Sequence, residues 1–479
     1  MDTIQHDLTK GSVGKLLLKF AAPFLVANLM QSLFGIVDMA VAGAFIGSMG
    51  LSALAVSSQI TNALGALIFG FSAGGTILVA QYVGAKRHNE LVSVIGTMFT
   101  SFLVLSVFFT AGMLAISTPL LRLLNTPEES FAGASAYLNT CLWGTFFIFG
   151  FSAISAVLRG MGDSKRPMYF SVIAVLLNIV LALLFVGKFN MGTGGAALAT
   201  VISQGVSFVL AILVLMRSRF IFDFKLKSFK VHMDKLRLMV SLGLPGGIQQ
   251  VLVQCSFLVL TSLINTFGVS ASAVSGIGAK FNGLAILPSL AMMTAVSTMA
   301  GQNIGAGRPD RAESSMKMGV KLILPVVALI MLIVNLFPRF ILGMFTNDPS
   351  DIAIGIHYMR ISSIEYLIDV FVFCINGMIQ GAGYPKIVMV NAIVTSVALR
   401  VPLAYLFSMG FGMDLYGVAL ATSTSPFGGL IIAYVFYRSG VWRKSGIVDA
   451  PVEPELDAGP EPEPEIEAEL EPEPEPINS

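Results

Sequence analysis

A bundle of twelve membrane-spanning α-helices, built as two six-helix lobes of equal orientation, is the fold that the sequence predicts on three observations. The 479 residues are 55% hydrophobic and only 12% charged, with a mean hydropathy of +0.81, far outside the range of soluble domains. Apolar runs of about 20 residues or more recur along the chain, long enough as helices to cross a hydrocarbon core of about 30 Å. The chain also repeats itself. "QYVGAKRHNEL" at 81–91 returns as "QNIGAGRPDRA" at 302–312, with Gln81, Gly84, Ala85 and Arg87 matched 221 positions later by Gln302, Gly305, Ala306 and Arg308.

The first half holds six expected spans. Residues 1–14 form a polar N-terminus with no cleavable signal pattern. The run 15–43 carries Pro23 and a lone acid, Asp38, in "IVDMAV". The run 52–82 contains "FGFSAGG", whose G-x-x-x-G spacing suits close helix packing, and ends in the first repeat motif. The runs 91–118 and 131–158 flank the acidic turn "NTPEES", and "RGMGDSK" closes the fourth. The fifth, 167–187, bears Asn178, and the sixth, 195–217, bears Thr200 in "GGAALAT". A basic stretch with interleaved aromatics, 218–240, reads as an interfacial linker.

The second half follows the same plan, with expected spans at 241–266, 273–300, 317–342, 352–380, 385–409 and 416–438. "QGAGYPK" at 380–386 answers "RGMGDSK" at 159–165, Tyr358 answers Tyr137, "YGVALAT" answers "GGAALAT", and Pro245 answers Pro23, all at offsets of 221 or 222. An even number of spans per half gives both halves the same orientation, as in the parallel repeats of some transporters. Pro23, Pro245, Pro288, Pro325, Pro402 and Pro426 fall inside spans, where each is expected to kink or unwind its helix.

Charge sets the sidedness. Of the 29 Lys and Arg, 23 fall at the N-terminus, in alternate loops on one side, or just after the last span. The positive-inside rule therefore puts both termini in the cytoplasm. The net charge of +1 hides a division: all 29 cations precede residue 449, as do sixteen acids, so the body carries +13 and the remainder −12. The tail, 439–479, becomes a Glu/Pro-rich segment that cannot bury apolar surface and is expected to stay extended. Cys141, Cys255 and Cys374 are isolated within apolar runs, without disulfide or zinc spacing. No metal site, no nucleic-acid partner and no resident cofactor is expected.

"FGIVDMAVAGAFIGSMGLSALAV" (34–56), the duplicated "Q-x-[VI]-G-A-x-R" loop and "LRGMGDSKRPMYFSVIAVLLNIVLALLF" (158–185) together resemble the multidrug and toxic compound extrusion (MATE) transporters of the MOP superfamily. The likeness covers about residues 10–440, with mixed NorM-like and DinF-like features. It implies two lobes around a V-shaped cavity, and export of bulky, often cationic amphiphiles in exchange for protons or sodium. There is no G-x-x-x-x-G-K-[ST] for ATP binding.

Ionisable groups inside apolar spans are costly and usually face a cavity or one another. Asp38 is the first candidate: burial penalises its charged form, so it can take up a proton, and surrounding oxygens can instead hold sodium. By resemblance, Asp38 matches the family's first-helix acid, Asn178 its fifth-helix Asn and Thr200 its sixth-helix hydroxyl. A second Asp found in some members is replaced by Ala182, which favours protons over sodium. In the second lobe Glu365 and Asp369 stand one helical turn apart, and Asp369 matches the tenth-helix Asp of the NorM-like branch. The seventh-helix Glu of that branch is missing, with Gln249, Gln250 and Gln254 in its stretch. Lys280 and Arg400 are the expected counter-ions, because buried charges persist mainly in pairs; a purely structural ion-pair network is the alternative. Arg360 is expected to snorkel to an interface.

The sequence therefore reads as a monomeric, multi-pass exporter of small-molecule drugs and toxins in the cytoplasmic membrane, surrounded by lipid, and not an enzyme. Two rivals remain: a flippase for lipid-linked oligosaccharides from the same superfamily, and a membrane scaffold or sensor acting through its acidic tail.

Overall fold

The computed structural model describes residues 7–448 except 125, 219, 445 and 446. The acidic segment from 449 onward, and the first six residues of the expected N-terminus, lie outside the described residues. Those described are almost wholly helical. Eleven helices are long and apolar enough to span a membrane, and a bent pair makes a twelfth.

In the N-lobe these are α1 (Val13–Phe45), α2 (Ser48–Gly84), α3 (His88–Leu123), α4 (Glu128–Trp143 with Thr145–Gly160), α5 (Lys165–Lys188) and α6 (Gly192–Arg217). In the C-lobe they are α7 (Met233–Asn265), α8 (Val269–Gly305), α9 (Pro309–Leu336), α10 (Pro349–Gly381), α11 (Pro385–Gly410) and α12 (Asp414–Ser439). The sequence boundaries hold within a few residues at most ends, with two corrections. α9 was expected at 317–342. It starts at Pro309, whose fixed φ suits a first helical turn, and stops before Pro338, which begins a short separate helix, Pro338–Gly343. The linker is shorter than the expected 218–240, because α7 already begins at Met233.

Four of the six expected prolines, Pro23, Pro245, Pro325 and Pro426, leave their helices unbroken. α4 bends by 47° at Gly144, and α10 is interrupted at the matching place, Ser363. α8 breaks at Ile286, just before Pro288. The ends of α5 and α11 widen into π-helical turns at Leu183–Lys188 and Leu406–Gly410, and a further π-turn, Val394–Arg400, precedes Pro402. The interruptions of α4 and α10 and the terminal π-turns of α5 and α11 recur in both lobes.

The lobes join at the end that carries the linker. Gly70 and Gly74 of α2 lie against Gly247 and Gly243 of α7, two G-x-x-x-G faces with backbone touching backbone. Beside them the duplicated loops interlock. Gln81 donates from Nε2 to the Gly381 carbonyl at 2.8 Å, and Gln302 from Nε2 to the Gly160 carbonyl at 3.0 Å. Gly84 abuts the carbonyl of Gln302, and Gly305 that of Gln81. Two glycines at the helix ends, Gly84 and Gly305, sit at these contacts. They permit close approach, while the left-handed turn residues are Lys86 (φ 56°) and Gly307 (φ 72°), again a repeat pair.

Two segments reinforce this joint. Residues 7–12 lie across the second loop: the Leu8 amide donates to Gln302 Oε1 at 3.0 Å, and Arg311 reaches the Gly11 carbonyl at 2.7 Å. The linker is fastened to the N-lobe. Phe222 is buried against Phe99 of α3, and the His232 amide donates to Thr97 at 3.0 Å.

α1 and α7 exchange partners at this end. Leu17, Phe20 and Ala21 of α1 belong to the C-lobe core, and Met239 and Leu242 of α7 to the N-lobe core. Pro23 and Pro245 mark where each helix crosses to its own lobe.

Candidate functional site

The far half of the N-lobe gathers the three residues singled out for cation coupling. Asp38, on the last third of α1, is 5% exposed. Its Oδ2 accepts from the Thr200 hydroxyl of α6 at 3.3 Å and from the Tyr137 hydroxyl of α4 at 3.4 Å. Asn178 of α5 donates from Nδ2 to Thr200 Oγ1 at 3.3 Å. The Thr200 hydroxyl also lies 3.2 Å from the Ala196 carbonyl. Its one proton can serve either the carboxylate or its own helix, so Thr200 can follow a change in the charge of Asp38.

Two acceptors in this cluster are shut away without a donor: Asp38 Oδ1 and Asn178 Oδ1. Buried polar atoms are rarely left unpaired, and a proton or small cation would satisfy them. Ala182, fully buried one turn from Asn178, supplies no second carboxylate. Tyr137 was singled out only as a repeat anchor. Its match, Tyr358, lines a cavity in the other lobe, so the repeat marks equivalent places in both lobes.

That C-lobe cavity, about 570 Å³, is lined by Glu365 and Asp369 of α10 together with Phe257, Gln254, Asn282 and Thr422. Arg400 pairs with Glu365, Nη2 to Oε1 at 3.3 Å, donates from Nε to Ser425 at 3.3 Å and lies over the Phe257 ring at 4.9 Å. Lys280 is a correction. It is exposed on α8, makes no ion pair with either acid and is not among the residues lining this cavity, unlike its neighbours Ala279 and Asn282. Arg360 is exposed, as its snorkelling role requires, and reaches the Asn335 carbonyl at 3.3 Å.

A third space, about 270 Å³, lies between the lobes, with Phe24 of α1, Thr76 of α2, Gln249 and Gln250 of α7 and Gln380 of α10 on its walls. Arg159 lines it too. The sequence placed Arg159 among the loop cations, yet it occupies the last turn of α4. The signal was present in the matched anchors "RGMGDSK" and "QGAGYPK", where the repeat sets Arg159 against Gln380.

Fold and site together define a twelve-helix membrane protein with a duplicated core, buried carboxylates in both lobes and cavities within and between the lobes. The MatE family model matches residues 23–184 and 245–406, one stretch in each lobe, and the chain belongs to the MatE family of transporters. It is 32% identical over 444 residues to the "Probable multidrug resistance protein YpnP" of Bacillus subtilis, an alignment covering 91% of this chain and 98% of that one. It is 27% identical to the "Probable multidrug resistance protein NorM" of Thermotoga maritima, covering 93% and 96%. Among solved structures, a multidrug resistance MATE family transporter of the MOP superfamily in an outward-facing conformation shares the fold. Its TM-score is 0.86, at 23% identity, covering 92% of this chain and 98% of that one.

Proposed function

We propose that the protein is a secondary active exporter, moving amphiphilic and often cationic drugs and toxins out of the cell in exchange for protons or sodium. The names of its relatives support the drug class. The observation that carries the coupling mechanism is Asp38, held by Thr200 and Tyr137 with its second oxygen unpaired. A single carboxylate beside neutral oxygens favours the proton.

In this reading the linker end is cytoplasmic by the positive-inside rule, and the joint there is closed while the protein faces outward. A cation arriving from outside neutralises Asp38 and frees the Thr200 hydroxyl to return to the Ala196 carbonyl. Helices α1, α5 and α6 then repack, drug leaves outward, and the lobes separate at the cytoplasmic joint to load again. The cycle is alternating access governed by the occupancy of one acid. Glu365, Arg400 and Asp369 form the polar wall of a drug-binding cavity, with the protein acting as a monomer.

Proteoliposomes with an imposed proton or sodium gradient test this reading with a cationic dye. Asp38→Asn is expected to abolish gradient-driven dye movement while leaving dye binding intact. Undiminished movement would refute the role of Asp38.

A further inference from the structure

We propose that Arg159 is the anion-recognition point of the central cavity, the residue that selects for a carboxylate on an aromatic amphiphile bound between the lobes. Arg159 carries its charge at any working pH and lines the space between the lobes. Among the described residues no carboxylate pairs with it; its guanidinium carbon lies 5.7 Å from the centre of the Phe24 ring. A half-buried charge in a transmembrane bundle normally has a counter-ion. Here the ligand supplies it.

The surroundings fit that ligand. None of the lining residues is acidic. The other polar groups are neutral amides and hydroxyls, among them Gln249, Gln250, Ser297 and Thr298. Phe24, Phe69 and Phe373 supply faces for an aromatic body. A guanidinium offers a planar fork that a carboxylate meets with two parallel hydrogen bonds.

The internal repeat weighs against a structural role. A cation in the last turn of α4 gains modestly from the helix dipole. The equivalent turn of α10 places Gln380 on the same cavity, and the two turns make the same reciprocal contacts through Gly160 and Gly381. The joint therefore forms with or without a charge at this position. Arg159 also stands next to Gly160, whose carbonyl accepts from Gln302, so a bound carboxylate would sit directly above the joint that must open.

The inference rests on the drug-export reading, and a matched dye pair separates the two. The full chain in phosphatidylcholine nanodiscs is titrated with a rhodamine carrying a free carboxylate and with its methyl ester, read by fluorescence polarisation. Arg159→Gln is expected to weaken binding of the acid by about tenfold or more, the scale of one charge-assisted contact, and that of the ester by no more than about twofold. Arg159→Lys should keep most of the preference. The thermal midpoint of Arg159→Gln should stay level or rise, because an unpaired charge has been removed. Equal weakening of both dyes, with a lower midpoint, marks a structural arginine and overturns the inference. Binding of the acid that does not change on substitution overturns it too, as does wild-type protein that binds only the ester; both leave drug export standing. Wild-type protein that binds neither dye removes the drug-export reading and this inference with it.

Discussion

Asp38 and Arg400 are both charged groups inside apolar helices, and their neighbours divide their tasks. Arg400 meets a carboxylate, a hydroxyl and an aromatic face, with Nη1 alone buried without a partner. Removing it strands Glu365, so Arg400→Met should lower stability by about 3 kcal/mol, and the double variant with Glu365→Gln should recover most of that loss. Thermal unfolding in detergent checks both. Asp38 has hydroxyl donors on one oxygen only. Tyr137→Phe removes one donor, worth about 1 kcal/mol, and is expected to slow gradient-driven transport several-fold without abolishing it; an effect as large as that of Asp38→Asn would give Tyr137 an essential role. The sequence made Asp38 legible because a carboxylate in an apolar run needs a reason to be there, and the family resemblance pointed to Asn178 and Thr200. It hid Tyr137, since a tyrosine near a helix end is ordinary, and Arg159, since a cation beside a loop reads as topology.

At the scale of elements, the duplicated loops act as a two-way joint. Each glutamine crosses to the helix end of the other lobe, and each glycine makes room for the partner's backbone. A methyl group on Gly84 would meet the Gln302 carbonyl, so Gly84→Ala must push the loops apart. Spin labels on the ends of α2 and α8 should report a broader and longer distance distribution in Gly84→Ala, and in Gln81→Ala with Gln302→Ala, than in the wild type. An unchanged distribution in both variants would remove the joint from the conformational cycle. The same close approach explains the G-x-x-x-G faces of α2 and α7. Helix kinks were less legible. Pro23 and Pro245 were expected to kink or unwind their helices, and α1 and α7 stay helical through them. α4 bends instead at Gly144, where a side chain would collide with Val201. A proline's local effect depends on whether packing can absorb it, and sequence periodicity carries no record of packing.

For the whole molecule, the split of charge between body and tail is the feature most open to a direct test. A transporter whose machinery lies in its two lobes should keep dye export when 449–479 are deleted, whereas a scaffold acting through the tail should lose function. Cell-based efflux with equal protein levels distinguishes them.

The sequence by itself determined the span count, the duplication, the family and the identity of the lone carboxylate. Each of these is written in composition, spacing or residue type along one line of chain. Only the tertiary structure decided which surfaces the two copies turn toward each other. It placed the first turns of α1 in the C-lobe core and those of α7 in the N-lobe core, bolted the linker to α3 and moved Lys280 away from the acids it was expected to neutralise. It also brought Arg159 and Gln380 to one cavity. The physical reason is common to all four. Facing and partnership depend on helix rotation and on contacts between residues hundreds of positions apart, and hydrophobic patterning specifies burial without naming the neighbour.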